Sequence, residues 1–492
     1  MMREVPPTLE IGSPQQLEIM EPKIEKSSKL EGIKNILRNI TVEPIIVLLF
    51  TPRLLCSLTN DNLNLEKACF VNLGYNDSIC YAMVVRDRSG YTAEQEVAVQ
   101  KVVSRLLPYK QACHIFQLIT ILLVSGWSDR TQKRKPMFYL PFIGDMSALV
   151  GYMICVYFFM DLGAEYSIFI EGVLTIAFGG FQLLLAGSYS YVASITDDKS
   201  RTLRIGIVTI VSRASMTIGI ALSGYSFKFL GFYGVYLLSL GLGITGLLYA
   251  LVSIKNIPAK DRENKQDMEY TCCSQIFDGT LDSFTKCFRI CFQKGPNKRR
   301  TKMILLQLIN YLSFGITTGE LAVLYLFTRK EFAWDEVDYS IYKAYRTIIE
   351  VAGCTCGLAL FSKYLKWSDT TIGMLSIVCR IGGTLFLAFS ITGLQFYIGT
   401  LHDFFGALTL ISVRSMITKI VNQNEQGIAN SMTSVIDSVG LFSIGPFFSF
   451  IYYNTVAFFP GAFYLVSTSV NIPLLILFYV LHRLTTVQQK DG

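Results

Sequence analysis

Three arginines lie inside long apolar segments, where a charged side chain is expensive and usually faces water or a partner charge. Arg213 and Arg380 have no acidic residue within reach on their own helix, and Arg414 lies in the run VRSMITKIV. A guanidinium keeps its charge at any physiological pH and presents a planar fork that fits a carboxylate or a phosphate. The arginines therefore predict a cavity that attracts an organic anion, or pairing with acids on other segments. Tyr189 and Tyr311 could stack on a ring of that anion or simply pack.

Acidic residues in the same kind of segment are candidates for binding a proton. Glu320 follows the flexible run GITTG (315–319), and burial there would favour the neutral, protonated carboxyl group. His402 stands beside Asp403, and the two could form a pH-sensitive pair or a solvated interfacial pair. The spacing of Arg346 and Glu350 indicates an ordinary ion pair four residues apart on one helix.

The composition places these residues in a membrane rather than in a soluble enzyme. Of 492 residues, 51% are hydrophobic and 16% charged, and the mean hydropathy is +0.41. So few charges could not cover a soluble protein of this size. Three histidines are too few for a multi-histidine metal site, and no Ser/His/Asp set converges in the apolar segments. We expect no enzyme activity, no cofactor and no metal.

The apolar segments predict an all-α membrane protein with twelve transmembrane helices in two six-helix bundles. Each segment has the length that a helix needs to cross a bilayer. They lie near 42–59, 109–127, 137–160, 166–192, 203–226, 231–254, 303–328, 340–362, 370–392, 395–420, 427–452 and 460–482.

Basic residues in alternate connections, such as SDRTQKRKP (128–136), predict which side faces the cytosol. Both termini then lie there. The expected organisation is a cytosolic tail (1–40), a first bundle (41–254) with an outer loop (60–108), a cytosolic link (255–302), a second bundle (303–482) and a short tail (483–492). Six helices on each side of a link are typical of a transporter whose substrate site lies between the halves.

The outer loop contains two features of an extracellular or lumenal segment. Asn76-Asp77-Ser78 is an acceptor sequence for glycosylation. Cys69 and Cys80 share the loop and could form a disulfide in an oxidising compartment, or remain free or pair differently. In the central link, Cys272, Cys273, Cys287 and Cys291 lack the spacing of a metal site, and a palmitoylated surface helix is the better interpretation.

The turn after the second span, SGWSDRTQKRKP (125–136), could act as a conformational clamp. Asp129 would face a helix N-terminus, and Arg130 and Arg134 would bind acidic or carbonyl groups. The pattern resembles the signature of the major facilitator superfamily, with Ser125 and Gln132 where that signature has glycines.

Further segments resemble the proton-coupled folate transporter family, solute carrier family forty-six, and within it the insect members. These segments are TVEP (41–44), LGYN (73–76), SYSYVASITDDKSRTLR (188–204), AWD (333–335), VRSMITKIV (413–421) and NEQG (424–427). The resemblance implies a twelve-span proton-coupled importer of bulky organic anions. It assigns Arg414 to the family's functional arginine of span ten, Asp129 to its clamp aspartate and Glu320 to an acidic position of span seven.

The sequence also departs from that family. The folate transporter's acid of span four corresponds to Gly180, and its proton-coupling glutamate of span five to Thr209. One of its outer-loop cysteines falls at Ala333, so its long-range disulfide cannot form. Folate is therefore a doubtful substrate, and any coupled proton must use other acids.

The function predicted is secondary active transport of folate-like, cyclic-dinucleotide-like or muropeptide-like organic anions by alternating access, with proton symport. The alternative is a non-transporting receptor or scaffold on the same fold. The expected partners are a small organic anion, protons and the lipid bilayer, without nucleic acid, and the protein is expected to be a monomer or a weak homo-oligomer. The expected location is the plasma membrane, with the endolysosomal membrane as the alternative.

Overall fold

Several helices begin at residues whose side chains cap the free backbone amides of the first turn. Thr92 and Gln95 form a reciprocal capping box, as do Asp335 with Asp338 and Thr392 with Gln395. Each capping box provides hydrogen-bond acceptors for two backbone amides that have no partner within the helix, and it marks where the helix starts. All three lie at connections that the charge pattern predicts to be outside the cytosol, and we call this the outer end of the molecule.

The computed structural model describes residues 40–131, 133–196, 198–255, 295–421 and 426–490, with a few single positions between 285 and 293. Fifteen α-helices lie in these ranges, and none of the residues described is in a strand, which confirms the all-α prediction. They are α1 (Glu43–Lys67), α2 (Asp77–Val85), α3 (Ala93–Ala112), α4 (His114–Thr131), α5 (Pro136–Tyr157), α6 (Ala164–Ile170), α7 (Gly180–Ile195), α8 (Asp198–Ser253), α9 (Arg299–Phe332), α10 (Glu336–Gly357), α11 (Asp369–Ala388), α12 (Gly393–His402), α13 (Leu408–Ile420), α14 (Gln426–Thr455) and α15 (Ala462–Lys490).

These helices account for the twelve predicted spans, because some spans are built from two helices and α8 contains two spans. Within the described ranges, eight helical segments are long and apolar enough to cross a membrane by length and composition. They include every span except the first, the seventh and the tenth. The first and seventh carry many polar residues, and the tenth is divided into α12 and α13.

The first span is longer than predicted, because residues 60–72 continue as helix instead of forming a loop. Asn60, Asn62 and Asn64 in this stretch are buried and bonded by other helices. Tyr236 donates to Asn60, Tyr325 donates to Asn62, and Ser167 donates to Asn64. A buried amide with partners costs little, so the helix continues toward the outer end.

The second span also begins earlier than predicted, at Ala93 rather than near 109. Together these extensions reduce the outer loop from 60–108 to 73–92, which includes the short helix α2. Spans five and six follow each other without a loop, as two helices within α8 that are separated by a kink at Gly231. Gly231 has φ 62°, a left-handed conformation that glycine adopts without strain.

The two halves of the molecule (43–253 and 299–490) meet most extensively toward the outer end. One buried apolar cluster includes Leu65 and Met83 of the first half together with Tyr325 and Phe448 of the second. Helix α8 also approaches α10 closely, since a Cβ on Gly224 would lie 2.2 Å from the Glu336 carbonyl oxygen. Other large apolar side chains point outward, with Phe229 81% exposed, as expected of surfaces that face lipid.

Candidate functional site

A network of five charged side chains lies inside the second half. Arg380 on α11 contacts Glu320 on α9 at 3.1 Å and Asp403, just after α12, at 3.4 Å. Arg346 on α10 contacts the same oxygen of Glu320 at 3.6 Å and Glu350 at 3.0 Å. Glu320, Arg346 and Arg380 are at most 7% exposed. Four spans therefore bring together charges that lie far apart in the sequence.

This network has three carboxylates for two guanidinium groups, an excess of one negative charge when all are ionised. Arg380 is shared between Glu320 and Asp403, and one oxygen of each acid, Oε1 of Glu320 and Oδ1 of Asp403, is buried without a hydrogen-bond partner. A buried unpaired acceptor of this kind is costly. One proton on either acid would remove the excess charge and supply a donor, so the arrangement is suited to bind and release a proton.

The predicted roles of Arg380 and His402 do not fit this geometry. Arg380 was expected to bind substrate, but two carboxylates occupy its guanidinium. His402 was expected to pair with Asp403, but its Nδ1 faces the carbonyl of Ile398, and its ring stacks on Phe386 in an exposed position. The cause is the end of α12 at His402, which turns the Asp403 side chain toward α11 and His402 away from it.

Two other arginines are exposed, one in each half of the molecule. The Arg414 side chain is 54% exposed and contacts Asp437 on α14 at 2.9 Å, and Asp437 also accepts a bond of 2.6 Å from Asn310. Arg213 on α8 is exposed, and no carboxylate of the described residues forms an ion pair with it. It lies within electrostatic range of Cys354 on α10, in the other half.

The two tyrosines expected near the substrate each bond to a hydroxyl group. Tyr189 pairs at 3.2 Å with Thr209, which lies one helical turn before Arg213 on α8, and Tyr311 pairs with Ser443 at 2.9 Å. Both side chains are partly exposed, so their rings remain accessible from one side. Of the predicted clamp, the side chains of Asp129 and Arg130 lie outside the described residues. Arg134 is buried and donates to Ser128 at 3.2 Å.

Among the described residues, the first half contains three ion pairs that sequence reasoning did not find. The most buried joins Arg204 on α8 to Glu43 on α1 at 2.9 Å, and the other two are partly buried. Arg53 on α1 contacts Asp145 on α5 at 2.7 Å, and Lys110 on α3 contacts Glu171, just after α6, at 2.6 Å. Lys110 was missed because the second span was expected to start beside it. No signal in the spacing identifies its partner, which lies 61 positions away.

Two further charges lie between the halves without an ion pair among the described residues. Asp61 on α1 is within electrostatic range of Lys343 on α10 and of Lys110. The Lys343 ammonium lies over the ring of Tyr339, 5.4 Å from its centroid. Neither residue was predicted as functional, because Asp61 was assigned to a loop and Lys343 to the end of a span.

The outer end is closed by contacts from the loop 73–92, which we call the outer clasp. The structure joins Cys69 and Cys80 in a disulfide that fixes α2 to the end of the first span. Beyond α2, Arg86 bonds Glu336 at 2.6 Å and the Trp334 carbonyl at 3.3 Å. In the parts of the chain that the structure covers, every ion pair that joins the halves lies at this end. These pairs are Arg86–Glu336, Lys228–Asp335 and Lys330–Glu96.

A resident metal centre has no support in the described ranges. There, no group of three or more His, Cys, Asp or Glu side chains is placed to hold a metal ion. The four cysteines of the central link, 272, 273, 287 and 291, lie outside those ranges.

Comparison with known proteins places the chain in a family. Residues 112–442 match the model of the Major Facilitator Superfamily. The chain is 26% identical to the "Lysosomal proton-coupled steroid conjugate and bile acid symporter SLC46A3" of Gallus gallus, over 80% of this chain and 83% of that protein. It is 21% identical to the "Probable peptidoglycan muropeptide transporter SLC46" of Drosophila melanogaster, over 90% and 85%. It is 24% identical to the "Proton-coupled folate transporter" of Rattus norvegicus, over 73% and 75%.

Solved structures support the same fold. The nucleoside transporter NupG superposes with a TM-score of 0.55 at 13% identity, covering 86% of this chain and 98% of that one. The human organic anion transporter MFSD10 superposes with a TM-score of 0.56 at 12% identity, covering 89% of this chain and 98% of that one. The chain is thus a multi-pass membrane protein that belongs to the Major Facilitator Superfamily, and it is similar to members of solute carrier family 46.

Proposed function

We propose that this protein is a secondary active transporter that moves organic anions together with protons by alternating access. The relatives reported above are named as proton-coupled or muropeptide transporters, which supports transport and does not favour the alternative of a receptor or scaffold. We expect no enzymatic step. The partners are a small organic anion, protons and lipid, and the functional unit is a monomer or a weak homo-oligomer. The plasma membrane or the endolysosomal membrane is the site of action.

The observation that carries the proposal is Arg213, an exposed guanidinium in the interior of a span without an ion pair among the described residues. Such a cation is expensive in a membrane unless a partner reaches it. Arg414 presents a second guanidinium from the other half, already balanced by Asp437. An anion entering the cleft would gain Arg213 as an uncompensated partner and Arg414 as a shared one. Tyr189 and Tyr311 offer faces for a ring or another bulky group.

The charge network of the second half supplies the proposed proton site. With all groups ionised, it has one more carboxylate than guanidinium groups, and Glu320 lies at its centre at 1% exposure. Protonation of Glu320 or Asp403 would loosen Arg380 from one of its two acids. Because those acids stand on α9 and next to α12, this change would alter contacts among the spans of the second half. Such a change could couple proton binding to the movement of the halves.

Uptake of a labelled organic anion at different pH tests this proposal. We expect wild-type cells to accumulate a steroid conjugate, a folate or a muropeptide faster at acidic than at neutral pH. A step that needs one proton changes by at most about tenfold per pH unit. Glu320→Gln mimics the protonated acid permanently, so the pH dependence of uptake should become nearly flat.

Glu94→Gln is the control, because it removes an exposed carboxylate that lies outside the network. It should keep the wild-type pH profile. An unchanged profile in Glu320→Gln would refute the proton role of Glu320, whereas absence of uptake of every anion at every pH would refute transport itself.

Glycosylation of Asn76 would test the proposed orientation. Asn76 is exposed and immediately precedes α2, so an oligosaccharyltransferase could reach it if this end faces the lumen. Asn76→Gln should abolish the gel shift that glycosidase treatment produces in the wild-type protein. Asn39→Gln, which changes a second acceptor sequence on the predicted cytosolic side, should leave the shift intact. A shift that depends on Asn39 instead would invert the topology.

A further inference from the structure

The first half contains a partly open cavity of about 140 Å³ lined by α1, α5, α8 and the π-helical segment Glu171–Ile176. Part of its lining is apolar and includes Leu49, Phe142 and Leu149. Seven lining residues carry side-chain oxygen atoms. They are Ser57, Asn60, Asp145, Tyr152, Glu171, Thr175 and Ser239. The cavity is large enough for an ion with several water molecules, since one water needs only about 15 Å³ on this measure.

Three oxygen atoms of the cavity lining are buried without a hydrogen-bond partner: Oδ2 of Asp145, Oε2 of Glu171 and the hydroxyl of Tyr152. Each carboxylate uses only its other oxygen for an ion pair, Asp145 with Arg53 and Glu171 with Lys110. Tyr152 is 3% exposed, so bulk water does not satisfy its hydroxyl. Native structures rarely leave such groups unpaired unless something else occupies the space.

The chemistry of these atoms restricts the occupant. Two carboxylate oxygens can only accept, and a phenol oxygen accepts as well, so the occupant must donate protons or carry positive charge. Carboxylate, hydroxyl and amide oxygens are the ligands that hard cations prefer. An anion is excluded by the two carboxylates, and a large organic solute does not fit the volume. Arg53 also lines the cavity, but Asp145 balances its charge at 2.7 Å.

We propose that this cavity is a second cation site, distinct from the network around Glu320, which binds a small monovalent cation, either Na⁺ or a proton. Several titratable or charged groups face Asp145 and Glu171. They are Arg53, Cys56 and Asp61 on α1, Lys110 on α3, His114 on α4, Tyr152 on α5 and Tyr236 on α8.

Cation binding in this cavity would affect the packing of the first half, as proton binding in the Glu320 network is proposed to affect the packing of the second half. The site joins α1 to α5, and α1 also reaches the second half through the bond from Tyr325 to Asn62. Cation binding in the cavity therefore stabilises the packing of a helix that takes part in the contact between the halves.

Thermal unfolding of the purified full-length protein in detergent tests the site without any transported solute, so its result is separate from that of the proposed function. The first comparison replaces choline chloride by NaCl at pH 7.5 and constant ionic strength. The second lowers the pH to 5.5 in choline chloride. A cation that binds the folded state raises the Tm in a saturable manner.

Two variants of the cavity and one control complete the test. Tyr152→Phe removes a single oxygen and keeps the ring, and Asp145→Asn removes the charge. Glu94→Gln removes an exposed carboxylate that lies outside both the cavity and the Glu320 network, and it should respond as the wild type does. If the occupant is Na⁺, Tyr152→Phe should raise the half-saturating NaCl concentration about tenfold. If it is a proton, the Tm response to acid should be clearly smaller in Asp145→Asn than in the wild type, and the part that remains belongs to the Glu320 network.

A Tm that responds neither to NaCl nor to acid would overturn the proposal and leave water as the occupant. An identical response in wild type, Tyr152→Phe and Asp145→Asn would overturn it too, because the cation would then bind elsewhere. Should Asp145→Asn fail to fold, Tyr152→Phe decides between these outcomes. If a response to acid is unchanged in that variant, the proton is not bound in the cavity.

Discussion

Arg380→Ala should destabilise the protein by about 3–5 kcal/mol, the cost of removing one partner of a buried ion pair. Arg380 is 7% exposed and is the shared cation of Glu320 and Asp403, at 3.1 and 3.4 Å. Without it, Asp403 has no cation in the network, and Glu320 keeps only Arg346 at 3.6 Å. Thermal unfolding in detergent should give a much lower Tm than wild type, together with a low yield of folded protein.

A rescue variant separates loss of charge balance from loss of packing. Arg380→Met combined with Glu320→Gln and Asp403→Asn removes both stranded carboxylates and should recover much of the lost Tm. Lys419→Ala is the control, because its ion pair with Asp369 is exposed on the lysine side and should contribute less than about 1 kcal/mol. A wild-type Tm for Arg380→Ala would mean that the network is not buried as described.

Arg213→Ala should nearly abolish uptake while leaving folding and surface expression intact. Truncating one partner of a desolvated charge pair costs about 2 kcal/mol or more, which corresponds to at least a thirtyfold loss of transport efficiency. Because no carboxylate of the described residues pairs with Arg213, its removal leaves no buried carboxylate without a partner, and the fold should not depend on it. Concentration-dependent uptake, corrected for surface protein measured by biotinylation, checks both expectations.

Two further variants sharpen the interpretation. Arg213→Lys keeps the charge but loses the planar fork, so uptake should be intermediate. Arg483→Ala removes an exposed arginine from the end of α15, far along the chain from the cleft helices, and should transport normally. Normal uptake by Arg213→Ala would remove this residue from the substrate site and with it the observation on which the proposed function rests.

The sequence was sufficient to predict the class of the fold, the number of spans and the charges that the spans contain. Apolar length and loop charge determine these features locally, so they can be read without knowing which helices touch. The helix ends were less predictable. Asn60, Asn62 and Asn64 look like loop residues until Tyr236, Tyr325 and Ser167 are seen to bond them.

The partners of the buried charges could not be predicted, because they depend on the rotation and packing of several helices. Arg380 pairs with Glu320, which is 60 positions away in the sequence, and with Asp403, which is 23 positions away. Neither separation corresponds to neighbours on one helix or across a tight helical hairpin. Neither Arg213 nor Arg380 has an acid nearby on its own helix, as expected, but acids of other spans pair with Arg380 and, among the described residues, not with Arg213. Only the packing of α9, α11 and α12 distinguishes the two arginines.

The outer clasp also bears on how this protein could be controlled from outside the cell or from an organelle lumen. Arg86 and the disulfide-bonded α2 seal the first half against Glu336 and Trp334. Before a solute can arrive from that face, this seal has to part. A nanobody that binds the exposed side of α2 while these contacts are intact would keep this side of the transporter closed to entering solutes and would leave access from the other side unaffected. An inhibitor that binds α2 would therefore not need to cross the bilayer.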